Sequence, residues 1–92
     1  MIASFASNAT EKLFSCERVP KFVNIEAVAL RKLAMLNRAK RVEELRIPPS
    51  NHLEALKGNR AGTYSIRIND QFRLCFRFEN GDAMDVEIVD YH

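Results

Sequence analysis

From Thr63 to Val89 apolar and polar residues alternate with a period of two. Successive side chains of an extended strand point to opposite sides, so this pattern predicts strands with one buried face. Tyr64, Ile66 and Ile68 share a face opposite Ser65, Arg67 and Asn69. After Asn69-Asp70-Gln71, a tight-turn sequence, Phe72, Leu74, Phe76 and Phe78 point one way and Arg73, Cys75 and Arg77 the other. Asn80-Gly81-Asp82 is a hairpin signal, because Asn-Gly suits a turn that needs positive φ at both central residues. Met84, Val86 and Ile88 then return to the buried side, with Asp85, Glu87 and Val89 facing away and Tyr91 extending that outer face. The result is an antiparallel meander, Phe-rich on one side and carrying Arg67, Arg73 and Arg77 on the other.

The chain ahead of the meander reads as helical. Ile2 to Phe5 form a short strand-like opening, and Ser7 to Glu11 supply cap residues for a first short helix through Phe14. A second helix is expected from Asn24 as N-cap, with Glu26 in its first turn where the helix dipole favours an acid. Ile25, Val28, Ala29, Leu33 and Leu36 make its apolar stripe, and Arg31, Lys32, Arg38, Lys40 and Arg41 fall on or near the solvent side. A break near Asn37 leaves a short third helix through Val42 and Leu45, and Pro48-Pro49 ends all helix. Asn51 to Leu56 is a connector. Lys57-Gly58-Asn59-Arg60-Ala61-Gly62 is a flexible entry to the sheet that places two cations at its mouth. The expectation is one α+β domain over residues 1–92, with two or three helices on one face of a small, mainly antiparallel sheet in the order β-α-α-β-β-β.

Charge is uneven along the chain. Residues 1–62 hold eleven Lys/Arg against six Asp/Glu, a net +5, whereas residues 63–92 carry −3. A basic helical part suits a polyanionic partner. Cys16 and Cys75 are the two cysteines and show no zinc or redox spacing, and the two histidines lie forty residues apart; no metal site is expected. Met1 to Phe5 lack the charged leader and apolar run of a signal peptide, and no stretch reaches membrane-spanning length. A cytoplasmic protein with reduced thiols is expected.

The outward arginines suit bidentate binding of phosphate oxygens, although Asp85 and Glu87 on the neighbouring strand offer Arg67 and Arg77 cross-strand partners. Cys75 between two arginines is read as a small strand residue rather than a nucleophile. Asp90, Tyr91 and His92 bring a carboxylate, a phenol and an imidazole together at the end of the sequence. An arginine beside proton-transfer groups is what phosphodiester cleavage requires: charge stabilisation on the phosphoryl oxygens and a base for the attacking hydroxyl.

Leu-Glu-Ala-Leu-Lys-Gly-Asn-Arg-Ala-Gly (53–62), Ser-Ile-Arg-Ile-Asn-Asp-Gln-Phe-Arg-Leu-Cys-Phe (65–76) and the closing Val-Asp-Tyr-His resemble the HigB branch of the RelE superfamily of bacterial toxins. The resemblance runs over the whole chain. It implies the toxin of a type II toxin–antitoxin pair: a ribosome-dependent mRNA endonuclease that enters the A site of the 70S ribosome and cuts the codon there, with the ribose 2′-hydroxyl attacking the adjacent phosphate and no metal or other cofactor. It implies a HigA-like helix-turn-helix antitoxin as partner, with operator DNA contacted only through that antitoxin. By position, Arg73 would stabilise the phosphate in the transition state and Lys57 would bind the substrate backbone. Asp90 and His92 would serve in proton transfer or nucleotide positioning, and Tyr91 would stack on or orient a base. Arg60, Arg67 and the basic helix residues are weaker candidates for 16S rRNA contact. Some family members carry a histidine at the position of Glu54, for which the nearby His52 is a candidate substitute. The same fold also hosts non-catalytic toxins that bind DNA gyrase, which is the competing reading.

Overall fold

The architecture follows from the alternating region. In a computed structural model, which describes residues 1–91, four strands pair antiparallel in the order β1 (Glu54–Ala55), β2 (Thr63–Arg67), β3 (Phe72–Glu79) and β4 (Asp82–Asp90). The β3–β4 hairpin closes through Asn80 and Gly81, both at positive φ (52° and 84°), as the right-handed twist of paired strands favours. At the β2–β3 turn the Asn69 side-chain oxygen accepts hydrogen bonds from the Gln71 and Phe72 amides (2.9 and 2.7 Å). The α+β class and the meander are as expected. The additional strand, β1, lies inside the stretch read as a connector; it is two residues long and registers Glu54 opposite Ser65.

The opening segment runs beside β4 in the parallel sense, bridging Ile2 to Ala83 and Phe5 to Val86. Backbone bonds from Ala3 N to Ala83 O (2.7 Å) and from Val86 N to Ser4 O (3.1 Å) fasten it, so the outer edge of β4 is covered over this stretch. Two bridges form here rather than a continuous strand. The irregularity beside it is a bulge: the register shifts between Cys75 and Arg77, and Asp85 sits at φ 53°. One extra residue turns the alternation over. Ala83, not Met84, is therefore buried, and Met84 pairs with Arg77 on the outer side.

Helix α1 (Asn8–Phe14) is capped by Ser7, whose hydroxyl accepts from the Thr10 amide at 3.2 Å. Helix α2 (Glu26–Arg38) is entered through a 3₁₀ turn, Pro20–Ile25, that begins at a proline. Asn24 lies inside that turn and does not cap α2. Ile25, Ala29, Leu33 and Leu36 are buried in one core with Ile66, Leu74, Phe76 and Val86, while Val28 is only partly covered. A 3₁₀ turn, Val42–Arg46, takes the place of the third helix, and Pro49 starts a further 3₁₀ turn through Asn51 rather than ending helical geometry, since a first-turn proline sacrifices no hydrogen bond.

That turn folds back on α2 and overturns the solvent-side reading of Lys32, which is buried. Its ammonium donates to the side-chain oxygen of Asn51. Asn51 is itself fully buried and donates to Leu45 O at 3.0 Å. A buried cation needs a partner of this kind.

Candidate functional site

The outer face of the sheet carries one row across all four strands: Glu54, Ser65, Cys75 and Glu87. Ser65 and Cys75 are buried although they point away from the core. Their small side chains leave room for longer ones to lie over them, and Arg73 and Tyr91 do so.

Arg73 is held on several sides. Its Nε donates to Ser65 Oγ at 2.9 Å, and its Nη2 donates to His52 O at 2.6 Å, with Ser65 O at 3.4 Å. Its Nη1 lies 3.7 Å from Glu54 Oε1. The Arg73 side chain is 12% exposed, whereas that of Glu54 is 59% exposed. His52 adopts a left-handed backbone (φ 46°, ψ 56°) at the end of the Pro49–Asn51 turn. What it brings to Arg73 is a carbonyl oxygen, not its imidazole. Neither Ser65 nor this carbonyl is identified by the sequence reading. Ser65 had a usable signal, a small hydroxyl residue on the arginine face; the carbonyl had none.

Tyr91 is tied to the β2–β3 turn by a bond from its amide to Gln71 O at 2.7 Å. The guanidinium carbon of Arg73 lies 5.9 Å from its ring centroid, within cation–π range. The Tyr91 hydroxyl is 4.0 Å from Cys75 Sγ. Burial raises the Cys75 pKa, outweighing the Tyr91 hydrogen bond and the nearby arginines, so the thiol is a poor nucleophile. Burial, followed by the proximity of Cys75, raises that of the Tyr91 phenol. Tyr91 is thus suited to donate a hydrogen bond rather than to remove a proton.

The other predicted site residues are distributed as follows. Asp90 pairs in register with Phe72 and so belongs to the opposite side of the sheet from Arg73, whose partner is Val89; its carboxylate accepts from Gln71 Nε2 at 3.1 Å. Lys57 is exposed just ahead of a 3₁₀ turn, Gly58–Arg60, in the loop leading to β2. Arg60 reaches Glu87 at 3.5 Å. Arg67 is paired with Asp70 in its own turn rather than across strands, and Arg77 lies between Glu79 (3.3 Å) and Asp85 (3.8 Å). His92 lies outside the described residues. Arg73 and Tyr91 therefore meet directly, and Arg60 approaches the same face through Glu87.

No helix among the described residues is long and apolar enough to cross a membrane, and no group of three or more His, Cys, Asp or Glu with metal-holding geometry occurs among them.

Known proteins resemble this chain in sequence and in fold. Over residues 3–92 the sequence matches the HigB-like toxin family, described as the RelE-like toxin of type II toxin–antitoxin system HigB. It is 36% identical over 87 residues to Toxin HigB-1 of Vibrio cholerae serotype O1, covering 92% of each chain. It is 45% identical over 40 residues to Endoribonuclease HigB of Proteus vulgaris, covering 44% of each. The fold superposes on a chain of the YoeB-YefM complex from Staphylococcus aureus with a TM-score of 0.63 at 21% identity, covering 100% of this chain and 98% of that one. The protein belongs to the HigB-like family of RelE-like toxins of type II toxin–antitoxin systems.

Proposed function

We propose that this toxin is a ribosome-dependent endoribonuclease that cleaves mRNA codons in the ribosomal A site, and that it is held inactive by a HigA-like antitoxin. The observation carrying the reading is the Arg73 guanidinium, nearly buried on the outer face yet open at Nη1 to a carboxylate at the solvent edge. The name of the Proteus vulgaris relative, an endoribonuclease, supports the same reading. The Staphylococcus aureus neighbour, solved as the YoeB-YefM complex, supports a toxin bound by a partner.

In the proposed reaction the ribose 2′-oxygen attacks the adjacent phosphorus. The O2′–P bond forms, the P–O5′ bond breaks, and the products are a 2′,3′-cyclic phosphate and a 5′-hydroxyl. The 2′-hydroxyl proton passes to a base and the departing 5′-oxygen takes one up. Arg73 bears the charge that builds on the non-bridging oxygens, with a phosphate oxygen replacing Glu54 at Nη1. Lys57 supports the backbone of the substrate. Tyr91 offers a ring face to a base and a protonated hydroxyl as a donor. His92 is the group assigned to proton transfer; Asp90, which lies on the opposite side of the sheet from Arg73, is assigned to nucleotide positioning alone, and Arg60, Arg67 and His52 to contacts with RNA.

Mapping mRNA 5′ ends after induction tests the reading. New ends inside translated codons are expected, and they should vanish for Arg73→Ala at equal soluble protein. Intact transcripts with damaged DNA would instead point to gyrase binding and overturn it.

A further inference from the structure

The β4 end of the outer row differs from its middle. Ser65 and Cys75, in the middle, are small and lie beneath Arg73 and Tyr91. Glu87, the register partner of Cys75, is a carboxylate instead. Such partners have Cβ atoms about 5 Å apart, so the Glu87 side chain starts beside the sulfur that the Tyr91 hydroxyl approaches to 4.0 Å. The loop between β1 and β2 carries Arg60 over the outer face to Glu87, at 3.5 Å. The charge of Arg60 is felt at both the Cys75 thiol and the Tyr91 phenol, as is that of Arg73. The phenol is thus near both arginines.

A carboxylate is out of place on a face that is to hold a polyanion. Glu54, more than half exposed, can give way to a phosphate. Glu87 is better covered: its side chain is 33% exposed, against 59% for Glu54, 49% for Glu79 and 55% for Asp85. It also cancels the charge of Arg60, so the pair as a unit is a poor ligand for phosphate. What the pair presents is a set of donors beside a set of acceptors, because a guanidinium only donates and a carboxylate only accepts. Its separation of 3.5 Å exceeds that of a charge-assisted hydrogen bond, about 2.8 Å. Neither group therefore exhausts the hydrogen-bonding capacity of the other.

From this donor–acceptor pair beside an exposed aromatic ring we infer that Arg60 and Glu87 read the Watson–Crick edge of a guanine stacked on Tyr91, which makes Glu87 a specificity-determining residue of the site.

Unpaired RNA bases are held by stacking on aromatic rings and by hydrogen bonds to their edges, and Tyr91 is 46% exposed. Among the four bases, guanine presents one acceptor, O6, followed by two donors, N1–H and N2–H. Arg60 would meet O6, and the two carboxylate oxygens of Glu87 the two donors. Uracil has O2 where guanine has its amino group, and adenine and cytosine have a ring-nitrogen acceptor at the central position. Each of these sets a lone pair against the carboxylate. A well-placed bidentate contact of this kind discriminates about ten- to a hundredfold.

The inference rests on the RNA-cleaving reading above, and its test separates the two. Ribosomes programmed with short mRNAs that differ only in the A-site codon are cleaved under single-turnover conditions. Each codon position carries guanine, inosine, adenine, cytosine or uracil in turn; inosine keeps O6 and N1–H but lacks the amino group. For wild type, one position should favour guanine about tenfold or more over adenine, cytosine and uracil, with inosine in between. Glu87→Gln sets an amide donor against the guanine donors and should lower that preference about tenfold. Glu79→Gln, whose pair with Arg77 lies farther along β3, should keep it. Wild-type cleavage with no guanine preference at any position would overturn the inference and leave the nuclease reading standing. So would a preference that Glu87→Gln leaves intact, since the pair would then only fasten the loop. If Glu87→Gln cleaves nothing, guanine against inosine in the wild type decides: slower cleavage of inosine supports the inference, and equal rates overturn it. No cleavage of any codon by wild type would overturn both readings.

Discussion

The contact between Lys32 and Asn51 joins the helical layer to the turn that presents His52, and its energy can be isolated. The Asn51 side-chain oxygen accepts from the Lys32 ammonium, and its amide donates to Leu45 O at 3.0 Å, with Met35 Sδ at 3.1 Å. Asn51→Ala strips a buried ammonium of its partner, worth about 1.5–3 kcal/mol for a charged hydrogen bond, and leaves the Leu45 carbonyl without its donor, about 1 kcal/mol more. Adding the space vacated by a fully buried side chain, a loss of about 3–5 kcal/mol is expected. Lys32→Met alone should cost less, about 0–2 kcal/mol, because removing the charge also removes its desolvation penalty. In the double variant the two losses should fail to add by about 1.5–3 kcal/mol. Urea unfolding followed by circular dichroism measures all four corners of the cycle. A coupling below about 0.5 kcal/mol would refute the contact. The same lysine sets a pH dependence. Because burial lowers its pKa in the folded state, the unfolded chain binds more protons between that lowered value and the ordinary lysine value. Stability should rise with pH through this alkaline window, and Lys32→Met should flatten the rise.

Four further outcomes are expected. Ser65→Ala removes the acceptor 2.9 Å from Arg73 Nε; single-turnover RNA cleavage should fall about tenfold, roughly 1.4 kcal/mol in the barrier, and unchanged cleavage would show that Ser65 does not position Arg73. Arg73→Lys keeps the charge but cannot bond to Ser65, His52 and a phosphate at once, so its cleavage rate should fall nearly as far as that of Arg73→Ala; near-wild-type activity would mean that charge alone suffices. Iodoacetamide should modify exposed Cys16 well before buried Cys75. Since the Cys75 pKa is raised on folding, its stabilisation is complete below the ordinary thiol pKa and is lost as pH rises through the raised value, a decline that Cys75→Ala should remove.

The parts of the molecule that sequence makes legible are those governed by local period. Alternation assigns Ile66, Leu74 and Phe76 to the core and Arg73 to the opposite face, and Asn80-Gly81 marks its hairpin because backbone sterics there are local. The misread positions depend on distant chain. Glu54-Ala55 is too short to display a period of two and becomes a strand only because β2 offers it an edge. Simple alternation puts Met84 on the wrong face because the bulge at Asp85 arises where β4 accommodates both β3 and the opening segment. Lys32 looks like a solvent-facing residue until the Pro48–Asn51 turn closes over it, and Asn51 lies in a stretch that reads only as a connector. At the candidate site Arg73 and Tyr91 are visible as types on one face, whereas the groups that hold Arg73 are not, since a backbone carbonyl has no sequence signature.

In the proposed reaction, Glu54 explains how an arginine with this many partners would still serve a substrate. Its carboxylate is more than half exposed, and an ion pair in that setting contributes at most about 1 kcal/mol. Exchanging it for a phosphate oxygen, with more charge and a matching fork, therefore costs little. The bonds to Ser65 and His52 are of another kind: they are made to neutral groups of the fold, the one to Ser65 partly buried, and in the proposed reaction they need not break when RNA binds. They fix the direction of the guanidinium in the folded protein, so in the proposed reaction the reorganisation that a free arginine would require in the transition state would already be complete. Folding thus determines the position of the charge, and the weak, solvated partner keeps one of its edges available.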